Sequence, residues 1–164
     1  EISACLVGSE MCIRDRFNPV IKTCEDVTLI KLMNVPSDMV FIGEVFGKIA
    51  ELSVDVNMIS LSENSNRSVL AFTVKDDDFI KTVEYTSKLK DGSVKPIVSS
   101  GNCIISIVDV AMENAPGVAA RVFKTLAEAN VQIMLITTSE SQISVLVTRA
   151  DFDDAVDSLS RQFV

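Results

Sequence analysis

The sequence contains no histidine and no tryptophan, and its 15 lysines and arginines are outnumbered by 23 aspartates and glutamates, for a formal charge of −8. Without histidine there is no imidazole for general acid-base work, for a serine or cysteine triad, or for a zinc site. The acidic balance leaves no basic patch to displace counterions from phosphates, so a nucleic-acid partner is not expected, nor is an anionic membrane surface. Six glycines never gather into a phosphate-cradling loop. No apolar run reaches the ~18 residues needed to cross a bilayer, because charge interrupts every few positions. Cys5, Cys12, Cys24 and Cys103 form no CxxC pair and read as structural or incidental thiols. No carboxylate pair stands in an apolar setting. These absences predict a soluble protein with no metal site and no catalytic machinery of its own.

What is present is an internal repeat. Shifted by 77 positions, Ile30 falls on Ile107, Val45-Phe46 on Val122-Phe123, Ala50-Glu51 on Ala127-Glu128, Val54 on Val131, Ile59 on Ile136, and Ser62-Glu63 on Ser139-Glu140, with no gap. The chain is therefore read as two copies of one unit.

The second copy shows the pattern most clearly. Pro116-Gly117 breaks the chain, and Val118, Ala119, Val122, Phe123, Leu126 and Ala127 then form an apolar stripe at helical spacing opposite Arg121, Lys124, Thr125 and Glu128. Asn130 suits the helix C-terminal turn. Val131, Ile133 and Leu135 alternate with Gln132, Met134 and Ile136, and a polar turn leads to Ile143, Val145 and Val147, a hairpin of two strands. A last helix is expected over Asp151 to Phe163, with Phe152, Ala155, Val156, Leu159 and Phe163 inward.

The first copy has the same order. Val20 to Cys24 is a short strand, Glu25-Asp26 an acidic break, and Val27 to Met33 a sheet-buried run. A helix over Val40 to Leu52, capped by Ser37 or Asp38, turns Ile42, Val45, Phe46, Ile49 and Ala50 inward. Strands follow at Val54 to Leu61 and Val69 to Val74, joined by the turn Ser62 to Ser68. Asp76-Asp77-Asp78 reads as a helix start, where negative charge is favoured, rather than a cation site, because no further ligands follow at calcium-loop spacing. Lys90 to Ser93 turns the chain into a fourth strand, Val94 to Val98. Ser99 to Asn102 is the expected linker, and Cys103 to Val110 opens the second copy. The fold class is α+β, two ferredoxin-like βαββαβ sandwiches of antiparallel sheet with helices on one face. The second copy lacks a fourth strand after Val164, and Val20 to Cys24 is the available candidate for its bare edge.

Glu1 to Arg16 follows neither period and lacks the features of a secretory signal. LVGSEMCIRDR resembles translated sequencing-adapter read-through, so this stretch is expected to be an artefactual or disordered extension with the true N-terminus missing. The expected division is 1–16 extension, 17–26 strand completing the second sheet, 27–98 first unit and 103–164 second unit.

The polar positions with chemistry to offer lie where each helix begins and where the following strand ends. Backbone amides at a helix N-terminus suit a carboxylate, and nearby acidic and amide side chains suit an ammonium group, which together describe an amino-acid zwitterion. Taken as residue types alone, they read first as capping and turn residues.

Two consecutive units bearing VFKTLAEANVQI and MLITTSESQISVLV resemble the paired ACT domains of aspartate kinase over Val20 to Val164, with Thr138-Ser139-Glu140 followed by Ile143-Ser144-Val145 as the more specific string. Phe41-Ile42-Gly43-Glu44-Val45-Phe46-Gly47 resembles the corresponding helix of lysine-sensitive members. The resemblance implies an amino-acid-sensing allosteric region, cytoplasmic, paired as a homodimer through its ACT sheets, with lysine or threonine as effector. It implies no cofactor in this chain, ATP and magnesium belonging to an absent kinase domain that phosphorylates L-aspartate; the chain alone is expected to phosphorylate nothing. The effector pocket carried over falls on Val35, Asp38, Phe41, Ile42, Asp55, Val56, Asn57, Ser62 and Glu63. The amides of Phe41 and Ile42 would take the effector carboxylate, and Asp38 and Glu63 its amines. The chain departs from the family at Asn57, where Asp is common, at Leu61-Ser62, where other members have Gln-Asn, and at Met39-Val40, where Pro-Gly is usual. The alternatives are a free-standing ACT pair that regulates a separate protein and a dimerisation module with no ligand.

Overall fold

A computed structural model describes residues 18–64, 67–89 and 92–164. The reading of Glu1 to Arg16, with Cys5 and Cys12, lies outside the described residues, as do parts of the turns expected at Ser62–Ser68 and Lys90–Ser93. Six strands and four α-helices alternate along the described chain: β1 (Val20–Pro36), α1 (Met39–Glu51), β2 (Ile59–Asn64), β3 (Arg67–Lys75), α2 (Phe79–Ser87), β4 (Lys95–Val108), α3 (Val118–Glu128), β5 (Ile133–Thr138), β6 (Gln142–Thr148) and α4 (Arg149–Phe163). The chain divides into two compact units, Cys24–Ile104 and, with the described residues up to Thr23, Ile105–Val164.

Within the first unit the strand order is β2-β3-β1-β4. β3 pairs antiparallel with both neighbours, Phe72 standing opposite Ile30 on one side and Ile59 on the other. Because side chains alternate across a strand, Phe72, Leu70, Ile30 and Leu32 share one face. They are buried with Ile42, Val45 and Ile49 of α1 and with Val35, Val54, Val74 and Val94. The ring of Phe46 meets that of Phe72 edge to face at 5.6 Å. Full burial of each large side chain here contributes about 1.5–3 kcal/mol, so α1 is held by its stripe more than by its propensity. The stripe is narrower than expected, since Ala50 is exposed.

The second unit orders its strands β1-β4-β6-β5. Its hairpin pairs Ile136 with Val145 and Thr138 with Ile143. Val118, Val122 and Leu126 of α3 are buried, as are Phe152, Ala155, Leu159 and Phe163 of α4. Ala119 and Ala127, expected in the α3 stripe, are exposed, and Val156 is half-buried. Ser53 and Asn130, 77 positions apart, both take the left-handed conformation that ends the first helix of each unit.

Two expectations are corrected. The acidic break at Glu25-Asp26 and the linker Ser99–Asn102 are not loops: each lies inside a long strand, β1 and β4 respectively. Strand continuity survives because local kinks absorb the unfavourable residues. Asp26 sits at φ +56° and Gly101 at φ +68°, and the buried Asn102 side chain donates to the Ser99 carbonyl at 2.6 Å. β2 also starts later than expected, at Ile59, and Val54 to Met58 cross to it without regular structure. A short 3-10 turn at Val110–Asn114, unmarked in the sequence, precedes α3. Asp76–Asp78 forms a 3-10 turn leading into α2. Its Asp76 carboxylate accepts from the Thr28 hydroxyl and its Asp78 carboxylate pairs with Lys81 at 2.7 Å.

Candidate functional site

β1 ends at Pro36, whose ring removes an amide donor and helps to stop the ladder. Just before it, Asn34 at φ +60° marks an irregularity in the β1–β3 register between Leu32 and Val35. The next two residues launch α1. Ser37 and Ser68 of β3 share a hydrogen bond, Oγ to Oγ, of 2.9 Å. Asp38, in extended conformation, is the N-cap, and its Oδ1 accepts from the Val40 amide at 2.9 Å. The first four amides of a helix have no intrahelical acceptor. Here Asp38 satisfies Val40, whereas the amides of Met39 and Phe41, at the open end, meet no backbone or side-chain acceptor among the described residues. The Ile42 amide differs: it donates to the Asp38 carbonyl at 3.3 Å, as the first backbone bond of the helix. Of the two amides expected to serve an effector carboxylate, Phe41 remains available and Ile42 is engaged. Met39 takes its place in the geometry.

The nine candidate residues do not converge within one chain. Ser68 opposes Val35 on one side and Glu63 of β2 on the other. This brings Val35, Asp38, Phe41, Ile42, Ser62 and Glu63 to one end of the first unit's sheet. Glu63 follows Ile59 and Leu61 on the face that packs α1, so its exposed carboxylate stands on the helix side of the sheet. Asp55, Val56 and Asn57 lie at the opposite end, because the Asn57 amide donates to the Thr73 carbonyl at 3.2 Å and the Met58 amide to the Thr73 hydroxyl at 3.0 Å. Ser68 and Thr73 are five strand residues apart, about 17 Å at ~3.4 Å per residue.

Val35 and Ile42 are buried in the core and act as its wall; Phe41 and Val56 pack against that core from its edge. Asp38, Asp55, Asn57, Ser62 and Glu63 are exposed. Ser68 was not singled out by its residue type, since a serine near a turn is unremarkable in a sequence. Only its register, on the core face and 1% exposed, marks it. The same end carries two exposed apolar side chains, Met39 and Val40.

At the matching end of the second unit the arrangement is different. Gly117, at φ +93°, is the N-cap of α3 and supplies no side chain. Asp109 is committed to backbone: Oδ2 accepts from Asn18 at 2.7 Å and Oδ1 from Ala111 at 2.8 Å.

The perturbed titratable groups lie on the helical surface of the first unit. Lys48 is pushed up by its hydrogen bond to Glu51, and Glu84 is pulled down by its hydrogen bond to Lys88. Burial pushes Tyr85 up, with the charge of Glu44 adding to it. Among the described residues no group of three or more His, Cys, Asp or Glu is placed to hold a metal ion, and no helix is long and apolar enough to cross a membrane. The site can therefore offer two helix amides, two carboxylates and an apolar rim, which is binding chemistry for a small zwitterion.

A family model described as an ACT domain matches residues 105–163. A Bacillus subtilis (strain 168) protein, Aspartokinase 2, is 28% identical over 141 residues, covering 85% of this chain and 35% of the relative. An aspartokinase of Mycolicibacterium smegmatis is 32% identical over 142 residues, covering 84% of this chain and 33% of the relative. The chain thus spans about a third of the length of these relatives. Among solved structures, the ligand-free regulatory subunit of aspartate kinase from Thermus thermophilus matches with a TM-score of 0.82 at 26% identity, covering 91% of this chain and 99% of that one.

Proposed function

This chain is an ACT-domain regulatory portion of the aspartate kinase family, and from that premise we propose that it senses an end-product amino acid, lysine or threonine, at the start of α1. The sensor acts on a cytoplasmic kinase that transfers phosphate from ATP to L-aspartate, the first step toward those amino acids, through a catalytic domain distinct from these two units. In this reading residues 27–98 and 103–164 are the two ACT domains, and the start of β1, from Val20, completes the second sheet.

The observation that carries the proposal is the α1 N-terminus. The amides of Met39 and Phe41 and the carboxylates of Asp38 and Glu63 gather at one end of the sheet, beside a buried apolar wall of Val35 and Ile42. The effector carboxylate faces the amides, and its ammonium groups face Asp38 and Glu63. Asp55, Val56 and Asn57 belong to the same site only through a second copy. When two identical edges pair antiparallel about a two-fold axis, opposite ends of the two chains meet. β2 is an edge strand with Ile59 and Leu61 exposed, and its pairing with a second β2 would carry one copy's Asp55 to Asn57 toward the other's Ser62-Glu63. The effector then bridges two protomers, and its power to shift their arrangement is limited to its differential affinity for the two states.

Calorimetric titration with lysine, threonine and methionine tests this, read beside sedimentation of the same samples. One of the amino acids should bind, at one site per chain or one per pair, and raise thermal stability by about 2.7 kcal/mol at a hundredfold excess over Kd. Heats indistinguishable from dilution for all three would leave a dimerisation module with no ligand.

A further inference from the structure

Resting on that effector reading, we propose that the hydroxyl pair Ser37–Ser68 is the positioning element of the site: it fixes the α1 N-terminus on the sheet so that the Met39 and Phe41 amides converge on one carboxylate.

Ser68 interrupts an apolar column. The core face of β3 runs Val74, Phe72, Leu70, Ser68, and the first three are apolar and buried. An apolar residue would continue the column. Ser68 is just as buried, at 1% exposure, and a hydroxyl out of water costs free energy unless bonded. Its partner is Ser37, at 2.9 Å across 31 residues of sequence. Ser37 directly precedes the N-cap Asp38. At that position many helices place an apolar residue that packs against the helix's fourth residue and sets the entry angle of the chain. Ser37 cannot do this, so the hydrogen bond to the sheet takes over the task. A hydrogen bond is directional where apolar packing is not.

The pair sits where such direction matters. Pro36 leads into Ser37 and Asp38 follows it, so the link is one residue from the cap and two from the Met39 amide. Ser68 itself lies between Val35 and Glu63 in the ladder, so the same residue that anchors the helix start is in register with the carboxylate proposed to meet the effector amine. The second unit, where Gly117 caps α3 and Asp109 is spent on backbone amides, has Asn114 at the position corresponding to Ser37 in the 77-residue repeat.

The test compares L-lysine with L-lysinamide, or L-threonine with its amide if threonine is the effector, on the full chain and on its Ser68→Ala, Ser37→Ala and double variants. The amide form keeps the amines and loses the carboxylate. Wild type should prefer the free acid. Each single variant should lose about three- to tenfold in affinity for the free acid, the range of one net hydrogen bond. It should lose little for the amide, so the preference shrinks. The double variant should match the singles, because either removal breaks the same link. Ser68→Thr, which keeps the hydroxyl, should restore the preference. A merely structural role would lower the melting temperature and leave the acid-to-amide ratio where it was, which overturns the inference while the effector reading stands. Wild type that binds neither ligand overturns both.

Discussion

The first helices of the two units, α1 and α3, end at the same place in the 77-residue repeat, Glu51 and Glu128, yet their starts, at Met39 and Val118, prepare different surfaces. At α1 an acidic cap, a hydroxyl tie and a facing glutamate leave two amides open. At α3 a glycine cap follows an added 3-10 turn, and the nearest aspartate is consumed by the amides of Asn18 and Ala111. Duplication preserved the residues that pack, such as Ile49 and Leu126, which are repeat mates and both fully buried. The strand-end pair Ser62-Glu63 recurs as Ser139-Glu140, but the helix start did not keep its polar residues, Asp38 being replaced by Ala115 and Ser37 by Asn114. Packing tolerates few changes, whereas an exposed helix start is free to diverge.

The largest effects are expected in the two cores. Ile49→Ala and Leu126→Ala should each cost about 2–5 kcal/mol by denaturant unfolding, because both remove side chains from filled interiors. A silent substitution in one unit would mean that the halves are not equivalent packers. Next, Glu63→Gln should weaken effector binding by about tenfold or more through loss of a charged acceptor, while its mate Glu140→Gln should leave the calorimetric Kd within error. Equal losses would place ligand chemistry in both units.

The caps give a smaller contrast of a different kind. Asp38→Ala should cost about 1 kcal/mol of stability and weaken the effector without unfolding the chain. Gly117→Ala should cost a similar amount for a purely conformational reason, since an added Cβ meets nothing within 4 Å but φ is +93°. Effector affinity should be untouched there. If Asp38→Ala retains wild-type affinity, the pocket is elsewhere.

The smallest effect concerns α2. Lys88 holds Glu84 below the ordinary carboxylate range through a hydrogen bond on an open surface. A carboxylate whose folded pKa is depressed stabilises above its unfolded pKa, and that increment disappears as pH falls through the folded value. Melting curves from neutral pH down through the carboxylate range should therefore converge for wild type and Lys88→Ala at the acid end, with a slight gap above it. A gap that widens toward acid would reverse the sign.

Much of the fold was legible because it rests on period. The α1 and α3 stripes, the β-rich run Val27 to Met33, and the left-handed stop at Asn130 follow from spacing and residue type alone. The breaks at Glu25-Asp26 and Ser99–Asn102 were misread because turn-forming residues look alike whether they end a strand or kink it. Neighbouring strands decide, and they are distant in sequence. The candidate site was legible in part. Resemblance supplied nine positions, but it could not reveal that three lie about 17 Å along the sheet from the rest.

Alternation of apolar residues and the duplicated pattern are properties of the chain written out, and they sufficed to establish two sandwiches and most of their inward faces. Which serine is buried, which helix amides stay open and which carboxylates remain unspent were decided only by folding. Each depends on what a hydrogen-bonding group meets across dozens of residues, and a donor or acceptor acquires its role from that partner.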